Sequence, residues 1–424
     1  MRHTRKAILL ILALGLIVVL PGLGGCGTAT PAYPEVVRIG ALYPLSGSLA
    51  STGQALKQAV ELAQEIVNQE HDLNLPLARS AGLPGLGDAR IEVVFADHAG
   101  DPEQGAAEAQ RLIEEGAVVA LLGAYNSNVT AHASQMAEAA RIPFLNATST
   151  SPTLTERGYA WFFRTTADDK IFAYNFFVFL RAVDRRQGLD TWDIAIVYEN
   201  TLWGTGVRQA EQSYARRLDF NIVADVPYAS GADSVEAEVQ TLLETGRPIV
   251  MQASYVNDAI LYMRTYKEMG FRPTALLAMD AGFISPGFIE AVGEDAEYIL
   301  SREVWALDLG EHKPLIHQVD ALYFERYGSH MDGNSARAFT GLLVLADAIN
   351  RAGSTDPEAI RQALLATNLP GEQLIMPWDG IRFDAETGQN TLARGIIVQM
   401  QDGAYHTVWP WDMASQELIW PMPE

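Results

Sequence analysis

The residues best suited to bind a small anion lie in two short polar turns. Asn126, Ser127 and Asn128 follow an apolar run at residues 118–123, and a second group of hydroxyl and amide side chains, residues 146–151, follows the next apolar run. Hydroxyl groups, amide groups and the free N–H groups of a helix N-terminus all donate hydrogen bonds to a carboxylate. Serine and threonine also cap helices without binding any ligand, so both interpretations stay open at this point.

Alternating strands and helices would place the two turns side by side. Apolar runs of strand length alternate with segments of helical periodicity between residues 36 and 152, which predicts the order β-α-β-α-β-α-β. The alternation returns between residues 172 and 282. Ligands bind beyond the carboxyl ends of the strands in such parallel sheets. We therefore predict an α/β fold with two lobes. We also predict that the side chains of residues 126–128 cap a helix, and that Trp203 lies in a turn at residues 199–206.

The composition is that of a globular, acidic protein. Of the 424 residues, 48% are hydrophobic and 19% are charged, which is enough apolar material for two or three domains. The 52 acidic residues outnumber the 30 basic ones and give a formal net charge of −22, so nucleic acid is not expected as a partner. Cys26 is the only cysteine, and an intramolecular disulfide is therefore impossible.

The N-terminus has the pattern of a secretion signal. Three basic residues precede an apolar stretch at residues 7–20, and the segment Leu-Gly-Gly-Cys26 follows. This pattern resembles a bacterial lipoprotein signal, in which the cysteine becomes the first residue of the mature protein and carries the lipid. The resemblance implies a signal peptide at residues 1–25, a tether at residues 26–35 and a protein anchored in the cell envelope, outside the cytoplasmic membrane. An uncleaved membrane anchor is the alternative, but 14 apolar residues are short for a bilayer span.

Seven segments, in order along the chain, carry a resemblance to a known family. They are residues 39–47, 97–102, 123–127, 142–155, 163–166, 378–388 and 408–410. Together they resemble the extracellular solute-binding proteins of branched-chain amino acid (Leu/Ile/Val) ABC transporters. The resemblance implies two Rossmann-like lobes with parallel central sheets, joined by three hinge crossovers, which is the type I periplasmic-binding fold. Lobe 1 would consist of residues 36–165 and 303–377, and lobe 2 of residues 166–302 and 378–416.

In the first lobe, the resemblance assigns three residues to the ligand's carboxylate. Ser127 and Thr150 match hydroxyl groups that bind it, and Thr148 matches a residue that acts through its backbone. The two polar turns identified above would therefore form one end of a binding site.

In the second lobe, the resemblance assigns Trp203 and Tyr255 as aromatic ligand contacts and Asp280 as the acidic residue that takes an ammonium group. A zwitterion needs donors at one end and an anion at the other, because burying either charge unpaired costs several kcal/mol. The implied ligand is an α-amino acid. Thr52 and Trp203 stand where relatives closest to leucine binding often carry an aromatic residue and a tyrosine. The amino acid head group is therefore better supported than a branched side chain.

No pattern in the sequence indicates an enzyme, a metal or a cofactor. The nucleophile-elbow, phosphate-loop and zinc-protease motifs do not occur, and a G-x-G-x-x-G match at residues 22–27 lies in the leader without a strand–turn–helix unit around it. Binding of an amide, urea, an aromatic acid or a sugar stays open, as does a role as ligand sensor for a membrane receptor. The implied partners are a small-molecule amino acid, the membrane subunits of an ABC permease and the membrane, through lipid on Cys26.

Overall fold

The computed structural model describes residues 33–423, so the predicted signal peptide, Cys26 and most of the predicted tether lie outside the described residues. The first sheet has five parallel strands in the order β2-β1-β3-β4-β5. Its strands are β1 Val36–Tyr43, β2 Arg90–Asp97, β3 Ala120–Gly123, β4 Phe144–Asn146 and β5 Phe162–Arg164. The helices that connect them are α1 Ala50–Asn68, α2 Pro102–Glu114 and α3 Ser127–Ala140. Every residue of β3 and β4 is buried, as expected for strands covered on both faces.

The chain then builds a second sheet. Its successive elements are α4 Asp169–Gln187, β6 Asp193–Glu199, α5 Leu202–Arg217, β7 Asn221–Tyr228, α6 Glu236–Leu243, β8 Ile249–Ala253, α7 Val256–Met269, β9 Ala275–Ala278, α8 Pro286–Val292 and β10 Leu300–Glu303. The strands from β6 to β10 pair in parallel. Helix α4 packs against this sheet and α5, with its phenylalanines buried.

The last third of the chain returns to both sheets. Helices α9 Pro314–Tyr327, α10 Gly333–Ala352 and α11 Pro357–Leu365 pack on the first sheet and its helix α1, either directly or through α10. A two-stranded sheet follows, formed by β11 Leu369–Pro370 and β12 Gly380–Ile381. Strands β13 Ile396–Gln401 and β14 Ala404–Trp409 then join the second sheet antiparallel beside β10. The order of the second sheet is β14-β13-β10-β9-β8-β6-β7.

We call the first sheet with α1–α3 and α9–α11 the first lobe, and the second sheet with α4–α8 the second lobe. The chain crosses between them three times: after β5, after β10 and between α11 and β13. The first and third crossings are hydrogen-bonded, since the Arg164 N–H donates to the Gly388 carbonyl at 2.9 Å and the Asn390 N–H to the Arg164 carbonyl at 2.8 Å. The predicted α/β fold of two lobes with three crossovers is thereby confirmed.

Strand register aligns the turns that matter for binding. Leu122 of β3 pairs with Leu145 of β4, so the turns that follow these strands lie next to each other at one edge of the first sheet. Gln252 of β8 pairs with Ala278 of β9 in the second sheet, which places the turns after those strands side by side in the same way. Both pairs of turns lie at carboxyl ends of parallel strands, where ligands of such sheets bind.

Two local predictions differ from the structure. Trp203 lies in the first turn of α5 and not in a connecting turn, because Thr201 acts as the N-cap and its hydroxyl accepts the Gly204 N–H at 3.4 Å. The side chain of Asn126, predicted to cap α3, makes no capping hydrogen bond although Asn126 is the N-cap residue. It instead lies beside the Tyr255 side chain of the second lobe.

Within residues 33–423, no helix combines the length and the apolar character needed to cross a membrane.

Candidate functional site

A small cavity, about 10 Å³ in volume, lies between the turns of the two lobes. The structure brings all six residues that the sequence assigned to ligand binding to the wall of this cavity. Ser127, Thr148 and Thr150 come from the first lobe, and Trp203, Tyr255 and Asp280 come from the second.

The first lobe contributes hydroxyl groups that differ in how many hydrogen bonds they make to other groups of the protein. Ser127, the first residue of α3, is buried, and its Oγ accepts the Ser151 N–H at 3.3 Å. Thr148 uses both of its donors within the lobe: its hydroxyl donates to the Ala124 carbonyl at 2.7 Å, and its N–H donates to the Asn146 side chain at 3.1 Å. Thr148 therefore fixes one turn against the other. The Thr150 hydroxyl lies beside the buried Asp169 carboxyl group, whose pKa it lowers, and the Ser127 hydroxyl keeps its own hydrogen for an acceptor.

Aromatic rings form a wall that crosses from one lobe to the other. The Trp203 and Tyr255 ring centroids lie 4.8 Å apart in the second lobe, and Tyr125 of the first lobe lies 5.5 Å from Tyr255. Burial raises the pKa of both tyrosine hydroxyls, so they stay neutral. The wall offers apolar contact with polar hydroxyl groups at its edge, and the two lobes are in contact through it.

Asp280 is held toward the cavity by a strained turn. Asp280 and Ala281 have φ angles of 43° and 46°, in the left-handed region that costs about 1–2 kcal/mol for a residue other than glycine. Gly282 follows, and a Cβ atom there would lie 2.4 Å from the Tyr255 backbone carbon, so only glycine allows the turns after β8 and β9 to approach this closely. Strain of this kind often marks functional sites.

Two buried arginines pair with Asp280. Arg302 Nη1 lies 2.5 Å and Arg337 Nη2 lies 2.9 Å from the same oxygen, Asp280 Oδ2. Arg302 belongs to β10 of the second lobe and stacks on the Phe172 ring, whose centroid is 3.6 Å from the guanidinium carbon. Arg337 belongs to α10 of the first lobe. The Arg337–Asp280 ion pair is therefore a second contact between the lobes across this cavity.

Two further buried carboxyl groups lie near these arginines. Asp169 Oδ1 is 3.5 Å from Arg302 Nη2, and burial raises the pKa of Asp169 to about 7, although Arg302 acts in the opposite direction. Burial likewise raises the pKa of Glu303 to about 8, against the effect of Arg337. Both carboxyl groups therefore hold a proton to a higher pH than a solvent-exposed carboxyl group does.

Sequence reasoning missed five residues that line the cavity. Tyr125, Ser149 and Ala281 lie in or beside turns that had been identified, so their neighbours pointed to them. Asn334 and Arg337 lie on α10, to which the sequence analysis assigned no role. One signal could have found them: Arg337 is the only charged residue within residues 333–346, in an otherwise small and apolar segment. A charge in such a segment is rarely buried without a specific partner.

Both the sequence profile of a known family and the sequences of known proteins match most of this chain. Residues 36–404 match the sequence profile of the family described as periplasmic binding protein. The Leu/Ile/Val-binding protein homolog 7 of Brucella suis is 28% identical over 400 residues, which is 93% of this chain and 96% of that protein.

Two solved structures show the same fold. A leucine-binding protein from Thermotoga maritima superposes with a TM-score of 0.74 at 20% identity, covering 88% of this chain and 97% of that one. The second structure is a branched-chain amino acid transporter substrate-binding protein from Streptococcus pneumoniae in complex with isoleucine. It superposes with a TM-score of 0.71 at 20% identity, covering 87% of this chain and 97% of that one.

Proposed function

This chain belongs to the periplasmic binding protein family, among the extracytoplasmic substrate-binding proteins of branched-chain amino acid ABC transporters, and from that premise we propose that it captures one α-amino acid between its two lobes and delivers it to an ABC permease. Proteins of this family bind solutes and are not enzymes. The observation that carries the proposal is the cavity with hydroxyl donors on the first lobe and a carboxylate on the second.

The first lobe would bind the carboxylate of the amino acid. Ser127 and Thr150 border the cavity with their hydroxyl groups, and Ser127 stands at the N-terminus of α3, where the helix dipole favours negative charge. Each hydrogen bond from such a donor to a carboxylate contributes about 1.5–3 kcal/mol. Neither side chain needs to be ionised for this task.

The second lobe would bind the ammonium group. A carboxylate has about four lone-pair positions. Asp280 uses two on Oδ2 for Arg302 and Arg337 and one on Oδ1 for the Ala281 N–H, so one position on Oδ1 stays available. Tyr255 and Trp203 would flank the ligand and offer their ring faces to a cation or an apolar group.

Ligand binding would also join the lobes. Ser127 and Thr150 lie on one lobe and Asp280 on the other, so neither lobe alone contacts both charged ends of an amino acid. A ligand that contacts both stabilises the closed arrangement by its differential affinity for it. The hinge movement would take place near Thr165, Ser301 and Pro377, at the three crossings.

The test is isothermal titration calorimetry of the purified protein with the twenty amino acids, urea, acetamide and benzoate. The account predicts saturable binding of at least one amino acid with one site per chain, and no binding of urea or acetamide. Binding of an amide or of benzoate, with no response to any amino acid, would assign the site to a different solute. The wild-type panel is more informative than Asp280→Asn, because that substitution leaves two buried guanidinium groups without their carboxylate.

We also propose that Cys26 carries a lipid that holds the protein at the membrane surface, on the basis of the basic residues, apolar stretch and Leu-Gly-Gly-Cys26 segment of the leader. Expression of Cys26→Ser in a bacterial host should shift the protein from the detergent phase to the aqueous phase on Triton X-114 partitioning. Equal partitioning of the variant and the wild type would contradict lipidation.

A further inference from the structure

Two buried hydrogen-bond donors on α10 line the cavity without a partner among residues 33–423. They are Nη1 of Arg337 and Nδ2 of Asn334. The side chains are 1% and 0% exposed, respectively, so water does not reach them from outside the cavity. A buried donor without an acceptor costs about 1–3 kcal/mol, and a charged one costs more. Both residues border the cavity, so a ligand in it would lie beside these donors.

The two donors are held next to each other. Arg337 Nη2 donates to Asn334 Oδ1 at 2.5 Å, and Arg337 Nε donates to the Gly333 carbonyl at 3.1 Å. These bonds fix the plane of the guanidinium group and the orientation of the Asn334 amide. The remaining N–H groups of the two side chains therefore have fixed orientations, and two such donors suit the two oxygens of a carboxylate.

The start of α10 is itself rigid. Asp332 accepts the Ser335 N–H at 2.7 Å, and the Ser335 hydroxyl accepts the Asp332 N–H at 2.7 Å, which completes a capping box. The paired donors lie within the first two turns of this 20-residue helix, on the side of positive helix dipole.

The charges around the cavity favour an additional anion. The Arg302 and Arg337 guanidinium groups share one oxygen of Asp280. A zwitterionic ligand brings an ammonium group to this cluster along with its carboxylate and adds no net charge. A ligand with a second acid group adds one negative charge beside the two guanidinium groups. The chain as a whole is strongly acidic, so only a local cluster of this kind could select an anionic side chain.

Glu303 is a protein carboxyl group that interacts electrostatically with Arg337, but it makes no hydrogen bond to the guanidinium group. Its Oε2 accepts the Val304 N–H at 2.6 Å and the Trp305 N–H at 3.3 Å, and its carboxyl group packs so closely on Gly333 that a Cβ atom there would lie 2.1 Å away. Glu303 Oε1 has no hydrogen-bond partner among the described residues, Arg337 included. Burial also raises the pKa of Glu303 to about 8, although Arg337 acts in the opposite direction.

We propose that the ligand is an α-amino acid with a second acid group, and that Arg337 Nη1 and Asn334 Nδ2 bind the side-chain carboxylate. The inference rests on the proposed function and specifies the ligand class of that same site. Ser127 and Thr150 bind the α-carboxylate, and Asp280 binds the ammonium group. The two donors on α10 bind the side-chain carboxylate of the ligand. Arg337 is then a specificity-determining residue that also connects the two lobes through Asp280.

The experiment compares matched ligand pairs on the full chain by calorimetry. Aspartate and asparagine have side chains of nearly the same shape and differ in charge, as do glutamate and glutamine. Leucine serves as the branched-chain probe. We expect wild type to bind one of the acidic amino acids at least about 10-fold more tightly than its amide and than leucine, since a charge-assisted pair of hydrogen bonds is lost with the amide.

Arg337→Gln should reduce this preference for the acid about 10- to 100-fold, whereas Ser127→Ala should weaken acid and amide alike. Arg351→Gln is the matched control, because Arg351 lies on the same helix, pairs with Asp347 at 2.7 Å and is outside the cavity. Circular dichroism and thermal melting check that each variant is folded. If Arg337→Gln does not fold, the comparison of acidic amino acids with their amides and with leucine on the wild type tests the proposed ligand class by itself.

The outcomes separate the two proposals. Tight binding of leucine with no preference for either acidic amino acid would overturn this inference and leave the proposed function standing. An acid preference that Arg337→Gln does not change would overturn the role of Arg337. No binding of any amino acid would overturn the proposed function itself.

Discussion

At the scale of single residues, the proposed binding site combines hydroxyl groups of the first lobe with two charged groups, Arg337 of the first lobe and Asp280 of the second. Ser127 and Thr150 border the cavity with hydroxyl groups, while the neighbouring hydroxyl of Thr148 bonds to the Ala124 carbonyl. Removing a hydroxyl that contacts the ligand therefore has a different effect from removing one that connects the turns.

Ser127→Ala and Thr150→Ala should each weaken amino acid binding about 10- to 100-fold, which corresponds to the loss of one charge-assisted hydrogen bond. Thr153→Ala is a suitable control, because Thr153 is exposed and its hydroxyl contacts Ser151 at 3.0 Å. Calorimetry gives the affinities, and thermal melting gives the stability. Wild-type affinity in both site variants would place the carboxylate elsewhere.

The buried Asp169 side chain should make the stability of the protein depend on pH. Burial raises its pKa from 3.8 to about 7. The charged or titratable groups around it include Arg302, Asp168, Asp280, Arg164, Tyr255 and Glu211. Between these two pH values the unfolded chain has lost the proton while the folded protein holds it, so the free energy of unfolding decreases as the pH rises through this range.

Urea unfolding at pH 5 and pH 7.5 measures this effect. We expect wild type to lose more stability than Asp169→Asn between the two pH values, because the asparagine does not titrate. Glu199 and Glu303 titrate in both proteins and contribute equally. An identical decrease in the two proteins would show that Asp169 does not hold its proton in the folded state.

At the scale of secondary-structure elements, the N-terminus of α10 contributes to the proposed site and contacts the second lobe through Arg337. Asp332 caps this helix, Asn334 and Arg337 line the cavity, and Arg337 pairs with Asp280 of the second lobe. The capping box therefore determines the position of two residues of the binding site as well as the stability of the helix.

Asp332→Ala should lower the free energy of unfolding by about 0.5–2 kcal/mol, as the loss of an N-cap does, and should also weaken ligand binding. Asp356→Ala is the control, because Asp356 caps α11 through the Ala359 N–H at 3.1 Å and does not line the cavity. We expect similar losses of stability from the two variants in urea unfolding, and a loss of affinity from Asp332→Ala alone. Unchanged affinity in Asp332→Ala would exclude the start of α10 from the site.

Sequence reasoning predicted the elements that have a strong local signal. Strands β3 and β4 are short, continuously apolar and followed by polar turns, so both the strands and Ser127 could be identified from their neighbours. The start of α5 was placed too late, because Thr201 was not recognised as the N-cap. The role of α10 depends on contacts between residues far apart in the chain, such as Arg337 with Asp280, and no local pattern specifies these.

At the scale of the whole molecule, the chain crosses three times between the two sheets, and the proposed site lies between the two sheets. Gln389 connects the first and third crossings, since its side chain accepts from Arg164 Nε at 2.6 Å and donates to the Thr166 carbonyl at 2.7 Å. These hydrogen bonds join the chain segments where they pass between the lobes. The positions of the lobe boundaries near residues 165, 302 and 377 stay a prediction that a ligand-free and a ligand-bound structure would test.

Small-angle X-ray scattering with and without ligand tests most directly whether one amino acid is captured between the two lobes. The scattering is recorded for the protein alone and at saturating leucine, isoleucine, valine, aspartate or glutamate, with thermal melting of the same samples and with Ser127→Ala as the control. We predict that an amino acid that raises the melting temperature also lowers the radius of gyration, because it contacts both lobes. A ligand that raises the melting temperature and leaves the radius of gyration unchanged would contradict capture by closure.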